Sequence, residues 1–174
     1  MLQQLLISRA DVREFVQISE TIYDDVFNGI VLKTQIKDVA PLLGEKLFNH
    51  LLTNPTATDN LELLNGGSYT ESGLTYFNYG LKAVIAYYFD ARYKMFGSAI
   101  DTPFSLVDKI NGDSSRPVSD KTKETLFIEN QKIAFTIWKS VENYLIRTKN
   151  TYFQQDLLRC DFKQNESTFK FKKV

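Results

Sequence analysis

The residues able to do acid–base, nucleophilic or metal chemistry are few and scattered. His50 lies in Phe48-Asn49-His50-Leu51, and Cys160 is far from it in the chain; there is one of each. A zinc site usually takes several His and Cys ligands, so neither reads as a metal ligand or as half of a Cys–His pair. His50 reads as a structural or surface histidine. A single cysteine closes no internal disulfide, so the fold does not depend on an oxidising compartment. Neither G-x-x-x-x-G-K-S/T nor G-x-G-x-x-G occurs, and Asn65-Gly66-Gly67-Ser68 reads as a turn before a helix. Asp24 and Asp25 are adjacent, and adjacent helical residues do not face each other. They suit the positive end of a helix dipole instead. Asp90 and Lys94 are four apart, which suggests a surface ion pair of little worth. The expectation is a protein that is not an enzyme, with no catalytic residue, cofactor or metal.

Charge points the same way. The chain of 174 residues carries 21 basic and 21 acidic side chains, a formal net charge of zero. A general nucleic-acid binder needs a cationic field to release counterions from phosphate. Lys121 and Lys123 stand at the start of the last helix, and Lys163, Lys170, Lys172 and Lys173 in the tail. Phe169 and Phe171 interleave with the tail lysines, and such a pattern can stack bases. A solvated edge strand whose lysines discourage aggregation explains the pattern better. No apolar run approaches the roughly 20 residues of a membrane span. Met1 to Ile7 lacks a basic region before a long apolar stretch and does not read as a secretory signal. Hydrophobic residues make up 43% of the chain and charged residues 24%, near the globular average.

The elements that would position these residues are mostly helical. Leu2 to Ile7 is a short apolar strand or arm. Ser8 caps a first helix, with Asp11 in the capping-box position and Val12, Phe15 and Val16 at helical spacing. A second helix starts at Asp24 and Asp25 and carries Val26, Phe27, Ile30, Thr34 and Val39; Pro41 is predicted to close or kink it. Leu42, Leu43, Leu47, Leu51 and Leu52 mark a third, with Gly44 inside its first turn at a close approach by another helix. Asn54-Pro55 ends it, and Leu61, Leu63 and Leu64 form one turn inside the loop 53–71. The clearest helix spans 71–96, with Leu74, Phe77, Leu81, Val84, Ile85 and Tyr88 on one face and Gly97 at its end. A long irregular segment, 98–119, follows. A helix from Ser119 or Asp120 to about Lys149 carries Leu126, Ile133, Ile137, Val141, Tyr144 and Leu145 along one side, and is on the order of 40 Å long. The fold class is mainly α: a helical bundle with two long antiparallel helices, a long inter-helix loop, and room for short terminal β-strands. Residues 1–160 read as one helical domain and 161–174 as a C-terminal tail with strand periodicity.

Three segments carry a resemblance. The first is Ile36-Lys37-Asp38-Val39-Ala40-Pro41-Leu42-Leu43-Gly44-Glu45-Lys46-Leu47-Phe48. The second is Leu64-Asn65-Gly66-Gly67-Ser68-Tyr69-Thr70, leading to Gly80-Leu81-Lys82-Ala83-Val84-Ile85-Ala86-Tyr87-Tyr88-Phe89-Asp90-Ala91-Arg92-Tyr93. The third runs from Thr102-Pro103-Phe104 through Val107-Asp108-Lys109 to Ser114-Ser115-Arg116-Pro117-Val118-Ser119. In order and spacing they resemble head–tail connector, or head-completion (neck ring), proteins of phages of Bacteroidetes hosts, including crAss-like phages. The match spans about residues 20 to 153.

The resemblance implies a virion protein, made in the host cytoplasm and placed in the neck. It implies a ring under the portal, roughly a dozen copies (a dodecamer) related by heterologous contacts, linking the capsid to the tail. The implied partners are the portal protein, neighbouring copies, and a tail or second neck protein, with passive contact to channel DNA and no membrane. The family supplies no catalytic residues. Interaction residues are expected in the long loop, at Phe104, Leu106, Val107, Lys109 and Ile110, and in the tail, at Phe169 and Phe171. Alternatives are another neck or tail-completion ring protein, a non-phage helical protein-binding domain, and an enzyme with a dispersed site.

Overall fold

The computed structural model describes residues 4–97, 99–101, 106–108 and 118–153. It is mainly helical, with two small β-hairpins. The elements in order are α1 (Arg9–Phe15), α2 (Asp24–Thr34), a π-helix (Gln35–Val39), α3 (Ala40–Leu43), α4 (Glu45–Thr53), α5 (Thr58–Asn65), β1 (Gly67–Glu71), β2 (Leu74–Asn78), α6 (Leu81–Phe96), β3 (Ala99–Asp101), β4 (Leu106–Asp108) and α7 (Asp120–Arg147).

Local chemistry accounts for most starts and stops. Ser8 accepts from the Asp11 backbone N–H while Asp11 answers at the Ser8 N–H, the expected capping box. Ser119 caps α7 by accepting from Thr122. The segment 4–7 forms no strand; its backbone is held by a side chain. The Gln35 amide accepts from the Leu6 N–H at 2.8 Å and donates to the Gln4 carbonyl at 3.3 Å. This mimics a strand partner and buries Leu6 and Ile7.

Pro41 does not close the second helix. The chain runs through the π-helix into α3, where Pro41 is the second residue. A proline there removes no bond that α3 itself would make. Gly44 ends the run. It is not inside a first turn but between α3 and α4, at φ 76°, a conformation that favours glycine.

The first third of the predicted helix over 71–96 is hairpin. β1 and β2 pair antiparallel, with Tyr69 opposite Tyr76 and Glu71 opposite Leu74. Ser72 (φ 51°) and Gly73 (φ 79°) form the two-residue turn, and two positive φ values match the type I′ geometry that suits strand twist. α6 begins only at Leu81 and spans 16 residues. Gly66 and Gly80 close the base of the hairpin at φ 76° and 84°. A Cβ on Gly80 would lie 2.6 Å from the Asn65 carbonyl carbon and 2.7 Å from the Gly66 nitrogen. The backbones touch there, and no other residue fits. The segment 98–119 is not wholly irregular either: β3 and β4 pair antiparallel, Ile100 opposite Val107.

The core lies between α6 and the helices around it. Leu81, Val84, Ile85 and Phe89 of α6 are buried against Phe27 and Val31, Leu43, Leu47 and Leu51, and Trp138, Val141 and Leu145. Each such side chain, fully buried, contributes about 1.5–3 kcal/mol. Ala83, Ala86 and Ala91 are buried too. α7 runs along α6 and past its start: Phe127 lies on Phe96, Asn130 on Asp90, and Ser140 on Tyr79, two residues before α6. Among the described residues α7, with 28 residues against 16 in α6, is the longest helix. Its buried face is Asn130, Ala134, Trp138, Val141 and Leu145, while Leu126 and Ile133 are partly exposed. Apolar residues on several sides of α7 blur the stripe that sequence spacing selects.

Candidate interaction surface

The polar pairs of the core hold the frame together. Asp38 on the π-helix accepts from Arg92 of α6 at 2.6 and 2.8 Å, a bidentate pair with both side chains mostly covered. The hydrogen bond to Asp38 raises the Arg92 pKa further. Tyr88, one turn before, is pushed up to about 12 by burial and by the Asp38 charge. On the opposite side of α6, Asp90 is not a surface residue: it is 1% exposed. Its Oδ2 accepts from Lys94 at 2.6 Å and from Asn130 at 2.8 Å, while Oδ1 has no partner among the described residues. Asp11 accepts from Lys82 at 2.7 Å. Burial would raise the Asp11 carboxyl, but hydrogen bonds from Lys82 and Ser8 outweigh it, and the group titrates below its ordinary value.

Among the described residues no three His, Cys, Asp or Glu side chains could share a metal ion. His50 stacks on Tyr152 at 3.8 Å between centroids, with Lys46 over the same ring, so it fixes the chain after α7 to α4. Two open clefts of about 650 and 530 Å³ lie on the surface. The second is walled by Leu5, Phe27 and Leu61, and its charges are paired, Arg9 with Asp24 and Lys82 with Asp11. No helix among the described residues is long and apolar enough to cross a membrane.

The surface itself carries the more distinctive chemistry. One face of the β1–β2 hairpin rests on the end of α7. The Arg147 guanidinium lies 3.8 Å from the Tyr76 ring centroid, donates to the Tyr69 hydroxyl at 3.1 Å and pairs with Glu71 at 3.3 Å. Tyr69 meets Tyr144 edge-on, and Tyr144 reaches Glu62. Burial and then the Glu62 charge raise the Tyr144 pKa. The other face, Ser68, Thr70, Thr75 and Phe77, is exposed. Phe77 is 60% exposed, and Tyr79 stacks edge-on against it. A second apolar stripe, Ile128, Phe135 and Ile146, lies uncovered along α7.

Of the expected interaction residues, Leu106 and Val107 fall on β4, opposite Asp101 and Ile100. Phe104, Lys109, Ile110, Phe169 and Phe171 lie outside the described residues, as does the tail 161–174. The exposed residues Leu74, Phe77, Tyr79 and Phe135 were not among those expected. For Leu74 and Phe77 the signal in the sequence was the Ser72-Gly73 turn, which makes them strand residues rather than helix-core ones.

Residues 39–156 match the model of a family of unknown function, DUF6712, and the chain belongs to that family. No curated protein and no solved structure matches the chain.

Proposed function

We propose that this chain is a structural virion protein, a head–tail connector subunit that forms a ring beneath the portal and links the capsid to the tail. The observation that carries the reading is where the connector-like segments sit. The segment 36–48 builds the π-helix, α3 and the Gly44 break. The segments 64–70 and 80–93 build the two sides of the Gly66–Gly80 contact and α6. Asp38 of the first binds Arg92 of the last. The connector-like residues therefore build a frame, not a cleft, and a ring subunit needs a rigid wedge more than a pocket. On this reading α6 and α7 are the antiparallel centre of a helical bundle. The exposed Phe77, Tyr79 and Phe135 serve contacts between copies or with the portal, and β3–β4 carries Leu106 and Val107 to a neighbour.

Electron microscopy of portal rings from the same genome, mixed with this chain, tests the reading. A continuous ring of added density under the portal is the expected result. Bare portal rings at saturating protein would overturn it.

A further inference from the structure

The β1–β2 hairpin presents one covered and one open edge. In a two-residue hairpin the closing pair, Glu71 and Leu74, exchanges both hydrogen bonds, and so do Tyr69–Tyr76 and Gly67–Asn78 in this register. The alternate residues turn their N–H and C=O outward: Ser68 and Thr70 on β1, Thr75 and Phe77 on β2. Two residues past Phe77, with the same parity, the Tyr79 N–H points at α7 and meets the Ser140 hydroxyl at 3.4 Å. The edge of β2 therefore runs towards α7. Ser68 and Thr70 on β1 are exposed, and among the described residues their outward backbone groups bond to nothing. An open strand edge is a template for another strand.

The covered side of β1 carries three carboxylates and one guanidinium: Glu71, which pairs with Arg147, and Glu62 and Asp59 of α5, which act on Tyr144 where it lies against Tyr69. One stretch of this chain has the complementary pattern: Thr168-Phe169-Lys170-Phe171-Lys172-Lys173 alternates apolar and basic residues with period two. It lies after Phe153, which packs on Trp138. The 14 residues from 154 to 167, which lead to this stretch, span up to roughly 46 Å when extended. A domain of this size has a radius of gyration of about 16 Å, so the stretch can reach a neighbouring copy.

We infer that the β1 edge accepts the 168–173 segment of a second copy as a third strand. One register sets Phe169 and Phe171 on the face that carries Phe77. It sets Lys170 and Lys172 on the face that carries Glu71. The inference deepens the ring reading and rests on it: the added strand is a head-to-tail contact between subunits.

Backbone hydrogen exchange of the full-length protein tests it, measured over a range of concentration and on the portal-bound form. Protection of the Ser68 and Thr70 amides should rise at least tenfold as copies associate, while the Tyr69 and Glu71 amides, bonded within the hairpin, change little. Phe169→Asp with Phe171→Asp should abolish the rise. Thr70→Pro should abolish association with the helical circular dichroism intact, because the lost N–H points outward. Protection independent of concentration would place the segment on its own copy and overturn the inference. So would exposed Ser68 and Thr70 amides in assembled rings, which would leave the ring reading standing. Protected amides in a protein that the portal does not recruit would instead support the strand contact and count against the ring reading.

Discussion

Arg92 and Asp38 are 54 residues apart in sequence, yet the guanidinium Nε and Nη2 donate to both carboxylate oxygens. The pair locks α6 to the π-helix. The two side chains are 18% and 11% exposed, so losing one partner strands the other in a poorly solvated place. Arg92→Met is expected to cost about 2–3 kcal/mol, and Arg92→Met with Asp38→Leu less than that. Urea unfolding of the single and double variants measures both. A double variant less stable than the single would contradict this role.

The hairpin junction gives a contrast between glycines. Gly80→Ala forces an L side chain to φ 84° and into the Gly66 backbone, with an expected loss of more than about 2 kcal/mol. Gly29 in α2 has nothing within 4 Å of where a Cβ would sit. Gly29→Ala should stabilise by about 0.5–1 kcal/mol. Opposite signs in thermal unfolding are the check.

Tyr88 makes stability fall in alkali. Its folded value, about 12, lies above the ordinary 10.0. The folded chain therefore holds the proton longer than the unfolded one. The stabilisation is complete below pH 10 and is lost as the pH rises towards 12, with a slope of at most about 1.4 kcal/mol per pH unit. Tyr88→Phe should flatten that part of the stability curve relative to wild type. Asp11 works at the other end: its contribution is full above the ordinary 3.8 and is lost as the pH falls through its lower folded value.

The exposed aromatics should separate folding from association. Phe77→Ser and Phe135→Ser are each expected to change stability by no more than about 0.5 kcal/mol while weakening binding to the portal. Unfolding midpoints and portal pull-down on the same variants give the two readings.

Local chemistry was legible where a single residue decides the backbone. Ser8 with Asp11, Ser119 and Asn54-Pro55 mark boundaries the structure has, while Asn65-Gly66-Gly67 marks a boundary followed by β1 and not by a helix. The hairpin was hidden because Leu74, Phe77 and Leu81 fall at helical spacing, and the Ser72-Gly73 turn between Glu71 and Leu74 is a weaker signal than that run. α7 was placed well along the chain and poorly around its axis, since Leu126, Ile128, Ile133 and Phe135 supply apolar residues off the core face. Asp38–Arg92 and Asp90–Asn130 join distant segments, and no local pattern announces them. For the same reason Asp90, read as a surface partner of Lys94, is instead buried under α7.

Mass by light scattering, on the protein alone and then mixed with the portal of the same genome, tests the connector reading most directly. Recruitment of roughly a dozen copies to each portal ring is the expected result. A stable monomer in both samples, with the portal mass unchanged, would contradict it.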